Sequence, residues 1–289
     1  MKHTYKNNQT SGEFRLVANE RELDRIFYGK DRRDKLLTIA WNRGPRQTVS
    51  VDSIDYDFPE NSVLCLMINQ SFYFSHPEDI IAWQFNREFY CIMEHDKEVS
   101  CVGFLFYGSR EMMFIRLEER GQQKADLLLR VFLEEFETVD NIQEDMLRVL
   151  LKRLVIIITR IAKEQYIDHE ELTAEKLDII REYNLLVEIH YKTEHQVKFY
   201  ASSLNRSPKT LSNLFALYNN KSPLTVIQER IILEAKRLLI YTDKTSKEIA
   251  YELGFEDMAY FSNFFKRITS LSPLAFRKSK ADFVRIHRG

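Results

Sequence analysis

Apolar and polar positions follow three different rhythms along this chain. Between residues 13 and 120 the apolar residues come in short runs of strand length: LLTIAWN from Leu36, SVLCLMIN from Ser62, SFYFS from Ser71, DIIAWQFN from Asp79 and VSCVGFLFY from Val99. Arg43-Gly44-Pro45, Pro59-Glu60-Asn61 and His76-Pro77 punctuate them as turns. Many short strands at this spacing predict a barrel or sandwich, with one short helix, ERELDRIF near Glu20, at its start. From Lys124 the period lengthens to three and four. Ala125, Leu128, Leu129, Phe132, Phe136 and Val139 form one helical stripe, and Leu147, Leu150, Leu151, Leu154, Ile157, Ile158 and Ile161 form the next. A helix over 170–190 turns Leu177, Ile180, Tyr183 and Val187 inward and ends in a polar junction, Tyr191 to His195.

The last hundred residues contain a repeat. Set against FYASSLNRSPKTLSNLFALYNNKSPLTVI from Phe199, the segment from Ser246 aligns Ala201 with Ala250 and Leu204 with Leu253, an offset of 49. After one inserted residue, at an offset of 50, Leu211 meets Phe261, Ser212-Asn213 meets Ser262-Asn263, Phe215 meets Phe265 and Ser222-Pro223 meets Ser272-Pro273. Such an echo is one supersecondary unit used twice. Each copy reads as a helix, a short turn and a second helix. In the later copy Thr245 and Glu248 carry a capping-box signature, and Gly254 stands where the first helix must stop in a left-handed residue. Asn205, the next most tolerant residue, fills that place in the earlier copy. Between the copies, Ser222 caps and Pro223 opens a long helix to about Leu239, with Ile227, Ile231, Ala235 and Leu238 along one side. This rod would hold the two units near the roughly 34 Å of one DNA turn. Arg230 within it reads as one half of a buried ion pair.

The outward faces of the second helices are polar, hydrogen-bonding and basic, as a face entering a major groove has to be. Candidates for base edges are Lys209, Ser212 and Asn213 in the first copy and Met258, Ser262 and Asn263 in the second. Asn pairs bidentately with adenine, Lys with guanine, and Met can touch a thymine methyl. Candidates for phosphates are Thr210, Lys221, Lys247, Tyr260, Lys266 and Arg267. The competing interpretation is a plain helical bundle whose polar face meets water.

The motifs that carry the repeat, A-x-x-L from Ala201, the two S-P pairs, I-A-x-x-L-G-F from Ile249 to Phe255 and Y-F-S-x-x-F-K from Tyr260 to Lys266, resemble the DNA-binding domain of AraC-type transcription regulators. The likeness covers about a third of the chain. Asn220 and Ser270 stand where members usually have Gly, and Asn213 and Asn263 where they often have Arg, so guanine contacts by such an Arg are not carried over. The resemblance implies an α+β protein: a cupin-like β-barrel sensor over 1–122, a helical dimerisation and connector region over 123–190, and an all-α domain over 191–289 with two helix-turn-helix motifs joined by the long helix. It implies double-stranded DNA, RNA polymerase, a small-molecule effector and a second copy of the chain as partners.

Charge sharpens this picture. From Tyr191 onward 17 Lys and Arg face 9 Asp and Glu, a net of +8, while the preceding residues carry 25 against 34, a net of −9. A basic tail behind an acidic front half suits a nucleic-acid binder with a second task. The chain of 289 residues is long enough for two cores. Cys65, Cys91 and Cys101 lack metal-ligand spacing and read as reduced core residues. Only His76 and His95 lie in the strand-rich part, without a third ligand, so no metal or cofactor is expected. A pocket inside the barrel remains open to a small ligand, with Trp41, Tyr73, Trp83 and Phe85 as either lining or packed core. No nucleophile elbow, P-loop or dinucleotide signature is present, so no enzymatic chemistry is expected. The rival class is a ligand-binding or enzymatic barrel with a protein-binding helical tail. The N-terminus has no apolar leader and Lys152-Arg153 interrupt the most apolar helix, so a cytoplasmic location without membrane contact is expected.

Overall fold

The computed structural model describes residues 1–25, 36–52, 54–68, 70–90, 105–106, 112–166, 174–219 and 221–279. Among them, those up to Tyr166 form one compact unit and those from Ala174 onward a second. Strands dominate the first and helices make up the second, an α+β chain.

The first unit contains β1 (Lys2–Lys6), β2 (Glu13–Ala18), β3 (Asp24–Arg25), β4 (Leu37–Asn42), β5 (Gln47–Val51), β6 (Ile54–Phe58), β7 (Ser62–Leu66), β8 (Phe72–Phe74), β9 (Ile80–Phe85) and β10 (Ile115–Arg116). They form a six-stranded sheet ordered β1-β2-β9-β4-β7-β10 and a four-stranded sheet ordered β3-β8-β5-β6. In register, Ala40 of β4 faces Ala82 of β9 and Ile39 faces Trp83. Because successive side chains of a strand point to opposite faces, these two pairs lie on opposite sides of the larger sheet. One side supplies Val17, Ala40, Leu64, Leu66, Ile80 and Ala82 to a core shared with Val49, Val51, Phe58, Phe72 and Phe74 of the smaller sheet.

The other side is covered by α1 (Glu119–Glu137) and α2 (Gln143–Tyr166). Phe132 of α1 lies 5.5 Å from Phe14 and 6.2 Å from Trp83 between ring centroids. Glu144 of α2 accepts from Asn7 at 2.6 Å and Tyr5 at 3.1 Å, and Arg148 donates to the Phe89 carbonyl at 2.8 Å. Strands β4 and β9 are therefore buried at every position, which explains runs of apolar residues where a half-exposed strand would alternate.

Several expectations change here. Of the helix read near Glu20, the described residues are a bend and strand β3, paired with β8. Arg25 decides this, because its guanidinium donates to the carbonyls of Leu36, Met67 and Gln70 and lies over the Phe72 ring, contacts that a local helix would forgo. Polar β1 carries no apolar run and was not legible as a strand. Val139 lies past the end of α1 and is 94% exposed, not part of its stripe. Trp41, Trp83 and Phe85 are buried on the side away from the smaller sheet, and Tyr73 is half exposed, so these four do not line the space between the sheets. His76 is exposed, and no cluster with metal-ligand character exists among the described residues. Of the Val99 run only Leu105 and Phe106 are described, and they are helical and buried, not strand; Cys91, His95 and Cys101 lie outside the described residues, and Cys65 is a free thiol whose burial pushes its pKa well up. Among the described residues no helix is long and apolar enough to cross a membrane.

The second unit consists of α3 (Ala174–His190), α4 (Val197–Ser203), α5 (Pro208–Asn219), α6 (Pro223–Tyr241), α7 (Ser246–Glu252), α8 (Met258–Thr269) and α9 (Pro273–Ser279). Helix α3, read from sequence as part of a connector ending near residue 190, packs within this unit. Tyr183 sets its ring 4.9 Å from Phe215 and 5.4 Å from Tyr200 and donates to the Pro223 carbonyl at 2.8 Å. The polar residues after it also belong here and do not form a junction between the units.

Phe132 has no exposed surface and bridges the sheet to the helical cover. Phe132→Ala should cost about 3–5 kcal/mol, read as a lowered urea midpoint for the first unit.

Candidate nucleic-acid interface

Two seven-residue helices, α4 and α7, each precede a turn and a twelve-residue helix, α5 and α8. The turns use the residues that the repeat marks out: Asn205 at φ 53° and Gly254 at φ 77°. Thr245 and Glu248 form the reciprocal capping box, with Thr245 N–H donating to the Glu248 carboxylate at 2.7 Å and Thr245 Oγ1 accepting from Glu248 N–H at 3.2 Å. Ser207 caps α5 by accepting from Thr210 N–H at 3.0 Å, and Asp257 caps α8 by accepting from Tyr260 N–H at 2.8 Å. Ser270 ends α8 in the left-handed region at φ 66°. Ala201 on α4 and Ala250 on α7 are buried, with Leu211, Phe215, Leu253, Phe261 and Phe265 fully enclosed.

The opposite faces are open. Lys209, Thr210, Ser212 and Asn213 are exposed on α5; Met258, Tyr260, Asn263, Lys266 and Arg267 are exposed on α8, and Ser262 is partly so. Their spacing of three and four puts Lys209, Ser212 and Asn213 on one stripe, and Asn263 with Lys266 and Arg267 on the other. Ser212 donates its hydroxyl proton to the Pro208 carbonyl at 2.9 Å, so toward a base it is an acceptor. The Thr210 hydroxyl is engaged with that of Ser207 at 2.8 Å. Lys247 is exposed on α7. Lys221 is set apart: partly buried, its ammonium lies 3.9 Å from Glu229 of α6. Residue 220 lies outside the described residues. Arg206, in the first turn and exposed, was not singled out from sequence, although its place before Ser207-Pro208 was the signal.

Helix α6 and the segment 183–195 hold the two pairs together. Arg230 is buried, donates to Glu188 at 2.8 Å and Glu234 at 3.2 Å, and lies 3.9 Å from the Tyr191 ring centroid. This is the buried ion pair that the sequence suggested. Arg237 approaches the same Glu234 at 3.6 Å. After α3, Lys192 donates to Glu252 of α7 at 3.0 Å, and Lys244 donates to the same carboxylate. Burial pushes the Glu234 carboxyl up, but Arg230 and Arg237 outweigh it and hold the group below the usual carboxylate range. Burial likewise raises Glu252, and hydrogen bonds from Lys244 and Lys192 win there too. His195, with its ring 4.8 Å from Phe255, has its pKa lowered by burial. From α9, Arg277 donates to the carbonyls of Leu239, Thr242 and Lys244, closing the C-terminal end of α6.

A basic double helix pair built on one buried helix defines a nucleic-acid-binding domain of the kind found in transcription regulators. A family described as a helix-turn-helix domain matches residues 200–279. The chain is 31% identical over 96 residues to the HTH-type transcriptional regulator ExsA of Pseudomonas aeruginosa, covering 33% of this chain and 34% of that protein. It is 38% identical over 71 residues to the arabinose operon regulatory protein of Salmonella typhimurium, covering 25% of each. The DNA-binding domain of AdpA, solved in complex with a target DNA, matches at 25% identity with a TM-score of 0.32 over 34% of this chain and 89% of that one. The C-terminal domain is thus of the AraC type, and the proteins it resembles are transcription regulators, not enzymes. The chain spans about a third of the length of the first curated relatives it matches.

At Gly254 an added Cβ would lie 2.0 Å from the Lys192 carbonyl oxygen, and φ is positive. Gly254→Ala should cost at least about 2 kcal/mol in chemical unfolding, whereas Asn205→Gly should change stability by less than about 1 kcal/mol. Glu234, Glu252 and His195 all have folded-state pKa values below their ordinary ones, so each contributes stability above its unfolded pKa and loses it as pH falls through the folded value. The melting temperature of the second unit should therefore decline below about pH 6.5 as His195 charges and again below about pH 4.5 as the carboxylates protonate, followed by circular dichroism.

Proposed function

We propose that the chain is a sequence-specific transcription regulator whose two helix pairs act as helix-turn-helix readers, placing α5 and α8 in successive major grooves on one face of a duplex. The observation that carries this is the doubling: two open polar faces, on equivalent helices, mounted at the two ends of one buried 19-residue helix. At 1.5 Å per residue that helix is about 28 Å long, close to the roughly 34 Å between grooves one turn apart.

Lys209, Ser212 and Asn213 meet base edges in one half-site, and Met258, Ser262 and Asn263 in the other. Thr210, Lys247, Tyr260, Lys266 and Arg267 meet phosphates; Lys221 does so only by leaving Glu229. The outward residues of the two copies differ, so the half-sites differ and the operator of one chain is not a palindrome. The first unit acts as a cupin-like sensor, where an effector or partner that favours one arrangement biases DNA binding. The exposed Met146 and Val149 on α2, with Ile142 just before its start, form an apolar stripe suited to a twofold contact with a second copy. RNA polymerase is the further partner of such a regulator, acting on cytoplasmic DNA.

Gel-shift titration against duplex DNA between about 50 and 200 mM salt should show a steep loss of affinity; a flat response removes this reading. Asn213→Ala should cost about 1–3 kcal/mol of discrimination at one base pair, seen as relaxed preference at a single position of a randomised site.

A further inference from the structure

The two reading helices carry opposite charge polarity. Arg206 precedes the Ser207 cap of α5 and Lys209 lies in its first turn; at the equivalent end of α8 stand Glu256 and the Asp257 cap. At the C-terminal end the order reverses, with Ala216 and Leu217 in the first copy and Lys266 and Arg267 in the second. Over residues 195–219 there are 3 Lys and Arg and no Asp or Glu, whereas 244–269 holds 4 of each sign. All six charged side chains named at these helix ends are exposed. Arg206 has a neighbour, Glu175, at 3.6 Å, but that carboxylate is 80% exposed and yields readily to a phosphate.

The caps deepen the contrast. A helix N-terminus attracts phosphate through its aligned N–H groups and partial positive charge. On α5 the cap is a neutral hydroxyl, so that attraction adds to Arg206 and Lys209. On α8 the Asp257 carboxylate already occupies the N–H of Tyr260, and Glu256 adds a second negative charge beside it. In helix-turn-helix docking the N-terminal end of the reading helix meets the groove.

We infer that the N-terminal ends of the two readers act in opposite senses: that of α5 draws in duplex through Arg206, Lys209 and an uncharged cap, and that of α8, through Glu256, penalises duplex that is not seated correctly. The inference rests on the DNA-binding reading above. Against duplex that α8 cannot enter, Glu256 is left facing phosphates, whereas a seated α8 carries it among base edges, where a carboxylate can accept from cytosine, so the cost falls mainly on wrong sequences. Glu256 is thereby a specificity-determining residue.

The test uses the full chain, its selected operator duplex and a scrambled duplex, with fluorescence anisotropy across a salt series. Arg206→Gln with Lys209→Gln should reduce the slope of log affinity against log salt by about two. Glu256→Gln should tighten binding to scrambled duplex more than to operator, shrinking the ratio of the two affinities. An unchanged slope in the Arg206 and Lys209 double variant, or an unchanged ratio in Glu256→Gln, would overturn the inference while leaving DNA binding intact. Absence of salt-dependent binding by the unsubstituted chain would overturn the DNA-binding reading itself, and this inference with it.

Discussion

A seven-residue helix has no stability of its own in water, because the cost of its first turn is not recovered over so short a length. Helices α4, α7 and α9 are each this short. What keeps them folded is the burial of one face against α6, in which twelve of nineteen residues are buried. Every surface residue assigned to DNA is therefore held indirectly, through Leu211 and Phe215 in one pair and Phe261 and Phe265 in the other. The apolar face of α6 is also why the two pairs share one frame and do not move as separate beads.

Apolar burial alone is non-directional, and the polar groups around α6 supply the direction. Arg230, Glu188, Glu234 and Arg237 are removed from water together, so each depends on its partners to offset lost solvation. Tyr183 touches the first pair and the start of α6; Lys192 and His195 touch the second pair. One segment of about a dozen residues thus grips both copies. The close pass of the chain at Lys192 explains why the second copy needs glycine at its turn while the first manages with asparagine.

In the first unit the governing constraint is a sheet covered on both faces. The smaller sheet closes one side of the larger, and α1 and α2 close the other. Large aromatic residues fall on the helical side and alanines at the centre of the inner side, so the aromatic residues serve as packing and the inner face is left to small and aliphatic groups with Phe58, Phe72 and Phe74.

The sequence by itself determined the elements whose signals are local. Thr245 with Glu248, Asn205, Gly254, Ser222 with Pro223 and the apolar period of α6 each place a cap, a turn or a helix, because the interactions lie within a few residues. Duplication revealed which faces are equivalent, and with them which side chains are left outward. Strand β3 at Asp24–Arg25, the allegiance of α3, the withdrawal of Lys221 toward Glu229 and the side of the sheet on which Trp41 and Trp83 lie were decided only by tertiary structure. Each depends on a partner distant in sequence, such as Met67 for Arg25, Phe215 for Tyr183 and Phe132 for Trp83. No periodicity or propensity within one segment encodes the identity of such a partner; it emerges only when the chain closes its core.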